Sequence, residues 1–299
     1  MAIAIRPLHP HLGGEVEGVD LRAPLTSDEV AAIHAGMDRH AVLVFHDQAI
    51  SDEQQLDFSR SLGKLEQIDG GHIAKREERR LREGFADVSN LDRDGQPLER
   101  NHRYRMFNLG NRLWHSDSSF RAVPAKYSIL SGRSVPSAGG DTQFADMRAA
   151  YDALDDETRA EVEDLVCEHS QIYSRGQLGF TEFTPDELEI LKPVLQRLVR
   201  THPTTGRKSL YLSAHAGKII GWPVPEARFF LRDLNEHATR PEFVFTQRWR
   251  VNDLVIWDNR QTMHRVRPFK DTLEKRDMRR TTIAGDGPTV DQALQRTGS

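Results

Sequence analysis

A single cysteine, Cys167, is all the thiol chemistry that this 299-residue chain holds, so an internal disulfide framework is excluded. Long apolar runs are missing too. None approaches the roughly 20 residues needed to span a bilayer, and no membrane segment is expected. The charge balance has no basic excess: 41 Lys and Arg stand against 45 Asp and Glu, a formal net charge of -4. With no basic stripe beyond one local run, the chain lacks the electrostatic footprint of a nucleic-acid binder, and a small molecule is the expected partner. The N-terminus, Met-Ala-Ile-Ala-Ile-Arg-Pro-Leu, has no basic region followed by an apolar stretch of about 7 to 15 residues. No secretory signal is therefore expected, and the cytoplasm is the expected location.

What is present is a globular composition, 37% hydrophobic and 29% charged. A chain of this length buries roughly three quarters of its unfolded surface. We expect one domain over 1–299, since β-barrel and sandwich enzymes reach this size as a unit. Residues 2–21 alternate loosely around Gly13-Gly14, a hairpin-like start. Ser27 is the expected cap of a helix through Val30, Ile33 and Met37 that ends near His40. Residues 41–45 form a continuous apolar run of strand length, which predicts a central strand buried on both faces. Ser51, with Gln54 as its capping-box partner, opens a second helix that stops at Gly63. Residues 66–110 carry Gly70-Gly71, a charged run from Lys75 to Glu83 and turn signals at 92–95. The run reads as a solvated face and the segment as a mobile lid, with a strand at 85–90 inside it.

Further strands are expected at 127–131 and 141–146, with Asp146 capping a helix over 147–154. A second, acidic helix follows through Ala160, Val162 and Val166, so that 146–193 makes a helical insertion. A hairpin over 198–202 and 208–212, a helix over 225–238, and strands at 243–249, 254–257 and 279–283 complete the pattern. Many strands with peripheral helices and no regular alternation argue against a doubly wound parallel sheet. They fit a mainly β double-stranded β-helix, the jelly roll, which can hold a site between its sheets.

The chain is organised around Asn111 to Phe120, which contains its only His-x-Asp, His115 and Asp117. Read as a strand, this stretch puts side chains two apart on one face, with Cα atoms roughly 6.5 Å apart. An imidazole and a carboxylate then converge on one ion. In a chain with 13 histidines and 45 acidic residues one such triplet is unsurprising alone. Its weight comes from the motifs downstream of it: Gly139-Gly140-Asp141-Thr142, Trp257-Asp258-Asn259-Arg260 with His264, then Arg276 and Arg280. His264 would complete a two-histidine, one-carboxylate facial triad, whose open positions suit non-haem Fe(II) oxygenases. Arg280 lies four beyond Arg276, so in an extended strand both face one side.

Together these motifs resemble the taurine dioxygenase family of Fe(II)/2-oxoglutarate-dependent oxygenases, and the likeness covers nearly the whole chain. Within the family it is greatest to enzymes acting on 2,4-dichlorophenoxyacetate, through Leu113 to Phe120, Asp146 to Leu154 and Leu254 to Arg260. The resemblance implies that His115, Asp117 and His264 are the iron ligands. It implies that Thr142 and Arg276 hold the distal carboxylate of 2-oxoglutarate, a task for which a guanidinium fork and a hydroxyl are suited. Asn111 matches a pocket position whose amide reaches cosubstrate or substrate; its alternative is a turn residue beside Gly110. Arg280 matches the position that receives the anionic group of the main substrate, and His72, Ser118, Lys75 and His202 are further substrate-side candidates. For His202 the alternative is an exposed hairpin histidine.

The implied reaction consumes O2 and 2-oxoglutarate, releases succinate and CO2, and hydroxylates an organic acid. On an aryloxyalkanoate such as 2,4-dichlorophenoxyacetate, the hydroxylated carbon bears the ether oxygen, and the hemiacetal collapses to a phenol and a 2-oxoacid. A taurine-like sulfonate or an alkylsulfate is the alternative substrate. A homo-oligomer is expected. From other classes, a zinc-dependent hydrolase could use two histidines and an aspartate, but it has no need of Thr142 and Arg276. A non-catalytic jelly-roll binding module has no need of the triad.

Overall fold

The computed structural model of the protein describes residues 3–67 and 79–291. In chain order these form β1 (Ala4–Pro7), β2 (Gly14–Glu17), α1 (Ser27–His40), β3 (Val42–Phe45), α2 (Asp52–Leu62), β4 (Ala86–Asp87), α3 (Arg103–Asn108), β5 (Tyr127–Ser134) and β6 (Thr142–Asp146). Then come α4 (Met147–Asp152), α5 (Asp156–Val162), β7 (Val166–His169), α6 (Gln171–Gly176), α7 (Pro185–Ile190), β8 (Val194–Arg197), β9 (Val199–Thr201), β10 (Lys208–Leu210) and β11 (Ala216–Ile219). The chain closes with α8 (Val224–Ala238), β12 (Val244–Gln247), β13 (Leu254–Asp258), β14 (Thr262–Val266) and β15 (Asp277–Thr282).

A seven-stranded sheet runs in the order β1-β2-β3-β13-β5-β15-β4, and a smaller one runs β12-β6-β14. Alternation along β13 explains how they meet. Val255 and Trp257 point inward with Val42, Val44, Leu130 and Met278, and there they touch Phe144 of β6. Leu254 and Ile256 point outward with Leu43, Phe45 and Ile129, onto Ile33 and Met37 of α1 and Phe58 and Leu62 of α2. Each such side chain contributes roughly 1.5 to 3 kcal/mol by leaving water. Because both faces of the large sheet are covered, its central strands read as unbroken apolar runs. Outside the small sheet, Ala145 and Met263 pack with Met147 and Ala150 of α4 and with Ala227 and Leu231 of α8. That pairing turns the next residue of β14, His264, into the space between the sheets. The architecture is the expected jelly roll. No helix among the described residues is long and apolar enough to cross a membrane.

Several local expectations change. The cap of α1 is Thr26, not Ser27: the Thr26 hydroxyl accepts from Glu29 N and the Glu29 carboxylate accepts from Thr26 N, a closed capping box. The box at Ser51 and Gln54 forms as expected. Val166 does not continue the acidic helix; it begins β7, which pairs with β8 and β11, so the stretch after α4 mixes strand with short helices. The strand expected at 85–90 reduces to Ala86–Asp87 on the edge of the large sheet.

Candidate active site

The expected strand over 111–120 does not form. Leu109–Arg112 is a single 3-10 turn, and Ser118 sits at φ 56, a left-handed conformation that breaks an extended run. Gly110 is pressed against Arg175, so that a Cβ there would lie 2.5 Å from the guanidinium carbon. His115 nevertheless pairs with the chain at one point. It exchanges both backbone hydrogen bonds with His264, at 3.0 and 2.8 Å. This bridge across the small sheet's edge sets the two imidazoles 4.2 Å apart, centroid to centroid.

Asp117 closes the group. Its oxygens lie 3.8 Å from His115 Nε2 and 3.6 Å from His264 Nε2, and one donor atom from each of the three residues falls within 4.8 Å of the others. The His115 Nδ1 contacts Leu113 O at 2.8 Å, which directs Nε2 to the centre. Burial pushes the His115 pKa down, and burial together with His115 pushes His264 well below its ordinary value. For Asp117 burial alone acts upward, but Arg280 and the two histidines reverse it, leaving the carboxyl well below the usual range. Two neutral imidazoles beside a carboxylate are the protonation states a divalent ion requires, and the donor set suits a non-haem Fe(II) centre with open positions.

A cavity opens beside this group, lined by His115, His264, Thr142, Asn111, Arg276 and Arg280 among others. Arg276 is buried; desolvation lowers its pKa to about 10, partly offset by Asp141, so it stays charged at neutral pH. Its guanidinium meets only carbonyls, Gly140 O at 3.1 Å and Val88 O at 3.4 Å. No carboxylate among the described residues pairs with it. Gly140 permits this, since its φ is 73 and a Cβ would crowd Arg276 Cδ at 3.3 Å and Pro136 at 2.9 Å. The Thr142 hydroxyl accepts from Trp249 Nε1 at 2.9 Å, which leaves its own proton for another partner. Asn111 lines the cavity while its Oδ1 accepts from Arg175 Nη2 at 3.4 Å. Arg276 lies just before β15 and the register slips between Asp277 and Met278, yet Arg276 and Arg280 both line the cavity, and Arg280 Nη1 pairs with Asp117 Oδ1.

Two other expected site residues are not brought to the cavity. His202 is neither exposed nor substrate-facing. It is buried, its Nδ1 accepts from Thr205 N at 3.2 Å, and its Nε2 therefore carries the proton that points to Asp258 Oδ2 at 3.3 Å. The Ser118 hydroxyl donates to Glu66 Oε2 at 3.0 Å instead of lining the cavity. His72 and Lys75 lie outside the described residues. Sequence reasoning missed Asp271, which faces the cavity with Arg105 Nη2 at 3.0 Å and Arg112 Nη2 at 3.1 Å. It also missed Asn90, whose Oδ1 accepts from Arg276 N at 2.8 Å and whose Nδ2 donates to Asp271 O and Glu274 O. No periodicity or motif marks either.

With this geometry in hand, the chain can be compared with known proteins. It is 46% identical over 288 residues to the alpha-ketoglutarate-dependent 2,4-dichlorophenoxyacetate dioxygenase of Cupriavidus pinatubonensis, covering 96% of this chain and 99% of that one. It is 36% identical to the (S)-phenoxypropionate/alpha-ketoglutarate-dioxygenase of Delftia acidovorans, covering 98% of each. The crystal structure of AAD-2 in complex with Mn(II) and N-oxalylglycine matches with a TM-score of 0.94 at 62% identity, over 97% of this chain and 100% of that chain. Residues 4–282 match the model of one family, and the chain therefore belongs to the taurine catabolism dioxygenase TauD, TfdA family.

Proposed function

We propose that the protein is an Fe(II)- and 2-oxoglutarate-dependent dioxygenase that oxidises an aryloxyalkanoic acid, splitting its ether to a phenol and a 2-oxoacid. The observation that carries this reading is Arg276, a buried guanidinium without a carboxylate partner among the described residues, beside the Thr142 hydroxyl and on the triad's cavity. Burying an unpaired charge is expensive, and a diacid chelating at the triad would bring a carboxylate to it. The N-oxalylglycine held by the 62% identical AAD-2 is 2-oxoglutarate with one methylene replaced by NH, which supports the same cosubstrate here.

When bound, Fe(II) and 2-oxoglutarate activate dioxygen while the cosubstrate is decarboxylated to succinate, and so supply an oxidant for a C–H bond. This chain's residues do the rest. His115, Asp117 and His264 hold the ion. Arg276 and Thr142 fix the distal carboxylate, and the Asn111 amide adds a polar contact. Arg280 receives the anionic group of the organic acid, and Val88, Leu109, Leu130, Val266 and Phe269 offer apolar walls that suit an aromatic ring. The carboxylate anchor then decides which carbon lies over the triad.

Succinate release across aryloxyacetates, aryloxypropionates, sulfonates and alkylsulfates, each acid compared with its methyl ester, tests the reading. Turnover should need Fe(II) and 2-oxoglutarate together and should respond to the aryloxy acids and not to their neutral esters. Turnover with zinc and no cosubstrate would overturn the dioxygenase. Esters as good as acids would overturn the anchor, and a response confined to sulfonates or alkylsulfates would replace the substrate class.

A further inference from the structure

Behind Asp117 lies a chain of hydrogen bonds whose direction can be assigned donor by donor. Asn259 Oδ1 accepts from Asp117 N at 3.1 Å and from Trp257 Nε1 at 3.0 Å. Both partners are N–H groups, so this end of the amide is the oxygen. The other end, Nδ2, donates to Ser128 Oγ at 2.9 Å. Ser128 Oγ has one proton, and it goes to Asp117 Oδ2 at 2.7 Å. Asn259 and Ser128 are each 0% exposed and Trp257 is 1% exposed, so water does not compete for these bonds. Three segments supply the parts: Ser128 comes from β5, Trp257 from β13, and Asn259 from the turn that leads into β14. Asp117 itself lies on a turn, with no strand pairing of its own. Arg280 also reaches Asp117, through Oδ1, but on a long side chain that lines the cavity. Ser128 and Asn259 are short and enclosed.

From this arrangement we infer that Asn259 and Ser128 are positioning residues for the metal centre: Asn259 fixes the backbone of Asp117, and Ser128, through Oδ2, fixes the rotation of a carboxylate whose Oδ1 meets Arg280. The inference rests on the reading of Asp117 as a metal ligand. A carboxylate free to rotate would lose its alignment with the two imidazoles, whose Nε2 atoms lie 3.8 Å from Oδ1 and 3.6 Å from Oδ2. Hydrogen bonds to a ligand tune it as well as aim it.

Two near-isosteric variants separate this from simple packing. Ser128→Ala removes the donor to Oδ2. Asn259→Asp keeps both acceptor bonds, to Asp117 N and Trp257 Nε1, but has no proton for Ser128, whose hydroxyl then turns to the introduced carboxylate and away from Asp117. Each is measured in the full chain by Co(II) titration of the apo-protein, by the visible charge-transfer band of the Fe(II)–2-oxoglutarate complex, and by the Tm of the apo-protein. Ser128→Ala should keep the wild-type Tm within a few degrees, and both variants should lose roughly 10- to 100-fold in Co(II) affinity and shift or lose the band. Affinity and band unchanged in both variants would overturn the positioning role. So would an unchanged Ser128→Ala alone, because it removes the only side-chain hydrogen bond to Oδ2 among the described residues. A wild-type protein that binds neither Co(II) nor Fe(II) would fail the metal-centre reading itself and the inference with it.

Discussion

At the scale of single residues, function concentrates where burial and charge conflict. Arg276 forms no ion pair among the described residues and Asp141 only partly offsets its desolvation, and that deficit is what the cosubstrate's distal carboxylate would relieve. Charge-assisted hydrogen bonds contribute roughly 1.5 to 3 kcal/mol, so Arg276→Ala should raise the KM for 2-oxoglutarate roughly tenfold to a hundredfold. The KM for the organic acid should move far less. Initial-rate measurements with each substrate varied in turn check this; an unchanged 2-oxoglutarate dependence would mean that the anchor lies elsewhere. Arg276 and Thr142 were legible in the sequence because they stand at fixed places in recognisable motifs. His202 was not, because a hairpin histidine carries no mark of burial. What recruits it is Asp258, a carboxyl that burial would raise but that Arg260 and His202 hold well below the usual range, and that partnership spans the chain.

At the scale of elements, the strands could be read from apolar runs and the helices from their caps. Thr26-x-x-Glu29 was open to the same reading as Ser51-x-x-Gln54, and the neighbouring Ser27 obscured it. The turn within 111–120 is not legible in the sequence, because alternation cannot reveal a turn held by distant contacts. Arg148, expected only as part of α4, turns out to bind three segments together. It is 1% exposed and pairs with Asp146, the cap of its own helix, at 2.7 Å. Its remaining donors reach Asp38 O and Arg39 O at the C-terminal end of α1, and His11 O beyond β1. Arg148→Met should therefore destabilise the protein by about 3 to 5 kcal/mol, the usual penalty for leaving a buried partner unpaired. The double variant Asp146→Asn/Arg148→Met should recover part of that loss. Urea denaturation of the three proteins decides the matter, and a single variant within about 1 kcal/mol of wild type would be inconsistent with the pairing.

At the scale of the whole molecule, stability should depend on pH through histidines kept neutral inside it. Burial lowers the pKa of His169 to about 3 from 6.5, and neither of its ring nitrogens has a partner among the described residues. Between those values the unfolded chain binds a proton that the native chain does not. Stability therefore falls as pH is lowered from 6.5 towards 3, by up to about 1.4 kcal/mol per pH unit for this group. His169→Phe, which keeps a ring against Tyr211, should flatten the decline of Tm below pH 6; an identical slope would assign the acid sensitivity to other groups. The bridge between His115 and His264 bears on a different property, the order in which the protein matures. The backbones of two of the three ligand residues are paired by amide and carbonyl groups, which need no ion to assemble. Stripping the metal with a chelator should then leave the far-UV spectrum intact, and Co(II) should refill the centre without a refolding phase. The polypeptide acts as a mould made before the casting, so iron supply would limit how much of it works and not how much of it folds.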